Sequence, residues 1–123
     1  MQKNEAVVIL GASNKTDRYA YMAQQGLVNR GFRVLPVHPT IKEIDGVPVF
    51  ASLSDIKEPV NTITLYVGEE RSTAVMQEIL NLKPKRIIFN PGAENKSLQI
   101  EARKLGIEAL DACTLVMLST KTF

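Results

Sequence analysis

Short apolar runs alternate with stretches of helical periodicity along this chain. Ala6-Val7-Val8-Ile9-Leu10 is a continuous apolar run of strand length, the pattern of a strand buried on both faces of a parallel sheet. From Tyr19 to Arg30 the period changes, and Ala20, Ala23 and Leu27 fall on one helical face. Gly26 weakens that helix, and Gly31 supplies a left-handed residue to end it. Phe32 to Val37 predicts a second strand, with Pro36 and Pro39 marking its end. Residues 38–61 are less regular. Gly46-Val47-Pro48-Val49-Phe50 reads as a short extended piece, and Ser52-Leu53-Ser54-Asp55-Ile56 as a capped helical turn.

The alternation then resumes. Thr62 to Val67 is rich in β-branched residues and predicts a third strand. A helix over Ser72–Leu82 follows, with Val75, Ile79 and Leu82 on one face, and Pro84 stops it. Arg86-Ile87-Ile88-Phe89 predicts a fourth strand. Asn95 or Ser97 caps the next helix, in which Leu98, Ala102 and Leu105 share a face before Gly106. Ile107 to Leu110 predicts a fifth strand, and Thr114 to Thr120 a last short helix. Strand–helix alternation with short links implies parallel strands joined by right-handed crossovers. The expected fold is α/β: one doubly wound, mainly parallel five-stranded sheet with helices on both faces, forming a single domain over residues 1–123.

Composition narrows the function classes. The chain has 123 residues, 45% hydrophobic and 23% charged, enough for one real core. The net charge of +2 gives no global field to attract nucleic acid or an anionic membrane. No apolar run is long enough to span a bilayer, and Met1-Gln2-Lys3-Asn4-Glu5 lacks the apolar core of a signal peptide. Cys113 is the single cysteine, so no internal disulfide forms. These features favour the cytoplasm.

In a doubly wound sheet, ligands bind beyond the C-terminal ends of the strands. The first such loop is Gly11-Ala12-Ser13-Asn14. Gly11 allows close backbone approach, Ser13 and Asn14 offer polar side chains, and free amides at a following helix start attract phosphate. Lys15 and Arg18 add positive charge in the same loop. A plain strand-to-helix turn is the competing reading. The three-glycine dinucleotide fingerprint is absent, since Ser13 and Thr16 stand where its later glycines belong. The second strand ends at Val37-His38-Pro39-Thr40 with no acid to take a ribose hydroxyl, which argues against NAD. Thr40, Lys42 and His38 suit a ribose phosphate instead, with a solvated lysine as the bland alternative.

The remaining polar residues make no catalytic set. His38 has no carboxylate or nucleophile at a telling offset, so it reads as structural or as a ligand-edge residue. Cys113 lacks an electropositive niche and reads as a buried small hydrophobe. Arg71, after Glu69 and Glu70, could reach a phosphate, although a solvated helix position is the default. Asn90-Pro91-Gly92-Ala93-Glu94-Asn95 faces the same crevice, or is a simple turn. No metal-ligand cluster, Walker-type motif or Ser-His-Asp arrangement is present. Binding is therefore favoured over catalysis.

Taken in order, several segments resemble the small stand-alone CoA-binding-domain proteins and, more distantly, the N-terminal domain of the succinyl-CoA synthetase α subunit. They are Gly11-Ala12-Ser13, Gly31-Phe32-Arg33-Val34, Pro36-Val37-His38-Pro39, Ile44-Asp45-Gly46-Val47-Pro48-Val49, Ser52-Leu53-Ser54-Asp55-Ile56 through Pro59-Val60, Asn90 to Asn95, and Asp111-Ala112-Cys113. The resemblance runs from Val7 to about Leu118. It implies a Rossmann-like fold with coenzyme A, or an acyl-CoA, across the C-terminal edge of the sheet. By that analogy Gly11, Ala12, Ser13 and Asn14 hold phosphates, with Arg18 beside them. His38, Pro39, Thr40 and Lys42 border the adenosine and its ribose phosphate. Tyr66, Val67 and Gly68 flank the adenine or pantetheine, and Asn90, Pro91 and Gly92 border the pantetheine arm. His38 departs from the family, in which asparagine often precedes the proline. The synthetase's phosphorylated histidine belongs to a domain this sequence lacks, so ligase activity is not implied. The alternatives are an NAD(P)-dependent enzyme or redox sensor, and a homodimeric interaction module with a vestigial nucleotide site.

Overall fold

The computed structural model describes residues 5–123; the signal-peptide reading of Met1 to Asn4 lies outside the described residues. β1 (Ala6–Leu10) is followed by α1 (Tyr19–Asn29) and β2 (Arg33–Val37). A small hairpin, β3 (Glu43–Ile44) and β4 (Val47–Pro48), precedes a 3₁₀ turn at Leu53–Asp55. Then come β5 (Thr62–Leu65), α2 (Glu69–Ala74), α3 (Met76–Asn81) and β6 (Arg86–Phe89). The chain continues through α4 (Lys96–Lys104), β7 (Glu108–Asp111) and α5 (Thr114–Ser119). Five strands pair in the order β2-β1-β5-β6-β7, all parallel.

The sheet is buried on both faces, which is why β1 reads as unbroken apolar sequence. Successive side chains of a strand point to opposite faces. Val8 and Leu10 therefore join one core with Ile63, Leu65, Ile87 and Phe89 beneath Ile79, Leu98 and Ala102. Val7 and Ile9 face the other way and pack with Val34 of β2, Ala20 and Leu27 of α1 and Leu118 of α5. The two cores make the doubly wound α/β architecture expected from the sequence.

The differences from expectation are local. The segment after β5 turns helical earlier, at Glu69, and divides at Val75, whose φ of −113° interrupts the helix. Leu105 does not share the buried face of α4: it lies just past the last helical residue and is 63% exposed. Cys113 is half-buried at the start of α5 rather than enclosed as a small core hydrophobe. Gly26 fits its helix because a Cβ there would sit 3.0 Å from Leu118 Cδ1, where α5 crosses α1.

The irregular region holds a hairpin. Asp45 and Gly46 both take positive φ, 50° and 81°, the geometry of a tight two-residue turn. Tyr21 donates from its hydroxyl to Asp45 Oδ2 at 2.6 Å, and Gln24 donates to the Ile44 carbonyl at 2.9 Å. The hairpin is thereby tied to α1. Beyond it, Phe50 donates its amide to Pro36 O at 2.9 Å and accepts from His38 N at 3.0 Å, covering the upper part of the β2 edge.

Candidate nucleotide site at the strand ends

The chain order reverses between β1 and β5, since β2 lies on one side of β1 and the later strands lie on the other. A crevice opens at such a reversal. Here it is a cavity of about 680 Å³. Gly11, Ala12, Ser13 and Asn14 form one wall, with Arg18 and His38 beside them. Tyr66, Val67 and Gly68 form the opposite wall, and Pro91 and Gly92 close one end. Most of the candidate residues are thus brought together from loops far apart in sequence.

Four candidates are not part of this lining. Pro39, Thr40 and Lys42 are exposed and lie outside it. Asn90 is 2% exposed, and its side chain is committed to the protein. It donates to Thr64 Oγ1 at 2.7 Å and to Leu65 O at 2.8 Å, and accepts from Thr114 N at 2.9 Å. Thr64 and Thr114 also pair through their hydroxyls at 2.8 Å. Asn90 therefore joins β5, β6 and the first turn of α5 beneath the cavity floor.

The first loop differs in detail from a simple phosphate turn. The amides of Gly11 and Ala12 both donate to Val37 O, at 3.3 and 3.1 Å. Those of Ser13 and Asn14 donate to no described residue, while Ser13 Oγ accepts from Lys15 N at 3.1 Å. Gly11 has φ of 90°, and a Cβ there would meet Val67 Cγ1 at 2.8 Å. Its glycine is required by the contact between the two cavity walls. The helix does not begin directly after this loop; α1 starts at Tyr19, and no side chain caps it. Its unpaired amides carry the positive end of the helix dipole, and Tyr19 and Ala20 line the cavity.

Lys15, Arg18 and Arg71 all line the cavity, and among the described residues no aspartate or glutamate does. Three cations without a carboxylate favour an anionic ligand. Ala93, from the loop expected to face the crevice, also contributes to the lining, as do Tyr19, Ala20 and Ile41, which were not singled out as site residues from the sequence. Of these only Tyr19 carries a usable signal, a large aromatic at a helix start that is 70% exposed. Tyr66 turns its hydroxyl inward, where no described group completes a hydrogen bond to it. Burial pushes this phenol up to about 12, eased slightly by the neighbouring Thr114 and Thr64 hydroxyls. Among the described residues, no cluster of histidine, cysteine and carboxylates could hold a metal, and no helix is long and apolar enough to cross a membrane.

The architecture is that of the Rossmann-like α/β class, an open parallel sheet with a crevice at its topological switch, and here that crevice is lined by cations. Residues 5–119 match the family described as CoA binding domain, and the chain belongs to that family. A solved structure of an uncharacterized protein is 40% identical, with a TM-score of 0.92 over 99% of this chain and 100% of its own. A Thermus thermophilus protein of solved structure is 26% identical, with a TM-score of 0.88 over 98% of this chain and 91% of its own. The uncharacterized protein YneT of Bacillus subtilis is 29% identical over 80 residues, 65% of this chain and 59% of that relative. The chain thus aligns with less than two thirds of that relative's length. The dinucleotide-forming acetyl-coenzyme A synthetase 1 of Ca. Korarchaeum cryptofilum shares the fold at 21% identity, with a TM-score of 0.74 over 88% of this chain and 26% of its own.

Proposed function

We propose that this protein binds coenzyme A or an acyl-CoA in the crevice between the ends of β1 and β5, and carries out no reaction on it by itself. The observation that carries this reading is the set of Lys15, Arg18 and Arg71 around a crevice with no lining carboxylate among the described residues. Membership of the CoA-binding domain family supplies the ligand class. The free amides of Ser13 and Asn14, the open start of α1 and the three cations suit the phosphates. Tyr66 to Gly68 and Pro91-Gly92 suit the apolar arm. Pro39, Thr40 and Lys42 border the outer rim. Among the described residues the lining holds no carboxylate and no thiol, and its one imidazole accepts two backbone amides at Nδ1, which supports binding over catalysis. One domain over the full sequence, acting in the cytoplasm, fits this role.

Thermal unfolding with CoA, dephospho-CoA and NADH tests the reading. A ligand at a hundred times its Kd adds about 2.7 kcal/mol of stability, so saturating CoA should raise the melting temperature clearly. No shift at millimolar CoA overturns the proposal. A shift with NADH alone would favour the redox alternative. Inertness to all three ligands together with a stable dimer by light scattering would favour an interaction module.

A further inference from the structure

His38 is held by its own loop in one tautomer. The chain leaves β2 and turns through Pro39, bringing the amides of Thr40 and Ile41 back onto the imidazole. Both lie 3.1 Å from His38 Nδ1. The Thr40 hydroxyl is 3.5 Å from the same nitrogen. A ring nitrogen that accepts two backbone N–H groups has no proton of its own, so the neutral ring carries its hydrogen on Nε2. The backbone of His38 is also fixed, because its amide donates to Phe50 O at 3.0 Å. The ring therefore has a set orientation and a single donor. Nε2 bonds to no described side chain or carbonyl, and His38 lines the same cavity as Lys15, Arg18 and Arg71.

We propose that His38 is a specificity-determining residue whose Nε2–H donates to a phosphate oxygen of the bound ligand, while Nδ1 caps the Thr40–Ile41 turn. The cations around it select phosphate oxygen as the acceptor. This inference rests on the reading of the crevice as a CoA site. An asparagine oxygen can take over the Nδ1 cap, but its side chain ends short of the position of Nε2.

Two measurements test it. In the wild type, imidazole ¹⁵N resonances above pH 7.5 should report an Nε2–H tautomer, and CoA should shift Nε2 while leaving Nδ1 nearly unchanged. In His38→Asn the turn keeps its acceptor, so the melting temperature should stay near that of the wild type while the Kd for CoA rises about tenfold, within the range of one hydrogen bond to a charged group. An Nδ1–H or mixed tautomer overturns the inference. So does unchanged CoA affinity in His38→Asn while the wild type binds. If the wild type itself fails to bind CoA, the reading of the site falls, and the donor role falls with it. The ¹⁵N spectrum separates these outcomes, because it reads the tautomer without ligand.

Discussion

At Gly11 the chain passes so close to Tyr66 and Val67 that no side chain fits. A Cβ would lie 2.8 Å from Val67 Cγ1 and 3.1 Å from the Tyr66 backbone, at a φ of 90°. Gly11→Ala therefore combines left-handed strain with overpacking, and should lower stability by about 2–4 kcal/mol in denaturant unfolding. Its neighbour across the cavity gives a different prediction. The Tyr66 phenol is raised from 10.0 to about 12, chiefly by burial. Between those values the unfolded chain has released its proton and the folded chain still holds it. Stability is thus fully present below pH 10 and falls as pH rises toward 12, by about 2–3 kcal/mol for this group. Unfolding curves across that range should lose part of their slope in Tyr66→Phe. At neutral pH the same substitution removes an unpartnered buried hydroxyl, and should be neutral or mildly stabilising.

Among the elements, the joint of β5, β6 and α5 matters most for the site. Asn90 satisfies groups on all three, so Asn90→Ala strands the Thr114 amide and the Leu65 carbonyl. A loss of about 2–3 kcal/mol in denaturant unfolding is expected. CoA affinity measured well below the melting temperature should change less than twofold, because the side chain is buried away from the cavity. The position of Asn90 at a strand end was legible in sequence, but its partners were not. They are Thr64 and Leu65, which the parallel pairing of β5 with β6 brings near, and Thr114, which the packing of α5 adds. The β3–β4 hairpin was missed for another reason. Asp45-Gly46 is a strong turn signal, but the strands it joins are two residues each, too short for alternation to register.

At the scale of the molecule, the crevice collects positive charge that the chain as a whole lacks. The net charge is +2, yet three cations line one cavity. CoA affinity should therefore fall as ionic strength rises, while exposed charges elsewhere contribute little. Titration calorimetry should find Arg18→Ala and Arg71→Ala weakened about tenfold. Lys42→Ala, outside the lining, should change affinity by about twofold at most. The same calorimetry with dephospho-CoA identifies which cation meets the ribose phosphate, since only that residue's substitution would affect CoA alone.

Fold class and the positions of the five sheet strands, and with them the loops that follow those strands, were legible in the sequence alone, because each depends on local periodicity, β-branching, proline and glycine. The apolar run Ala6–Leu10 and the stretch Arg86–Phe89 coincide with β1 and β6 for that reason. What only the tertiary structure decided is which groups meet. Arg71 reads in sequence as a solvated helix residue, and joins Lys15 and Arg18 only because β5 lies beside β1. Gly11 reads as a position for ligand approach, whereas its freedom is required by Val67. His38 has two admissible roles in sequence, and the turn that returns Thr40 and Ile41 to Nδ1 leaves Nε2 to the crevice. Contacts between distant segments depend on strand order, and strand order is a property of the packed sheet rather than of any one stretch of chain.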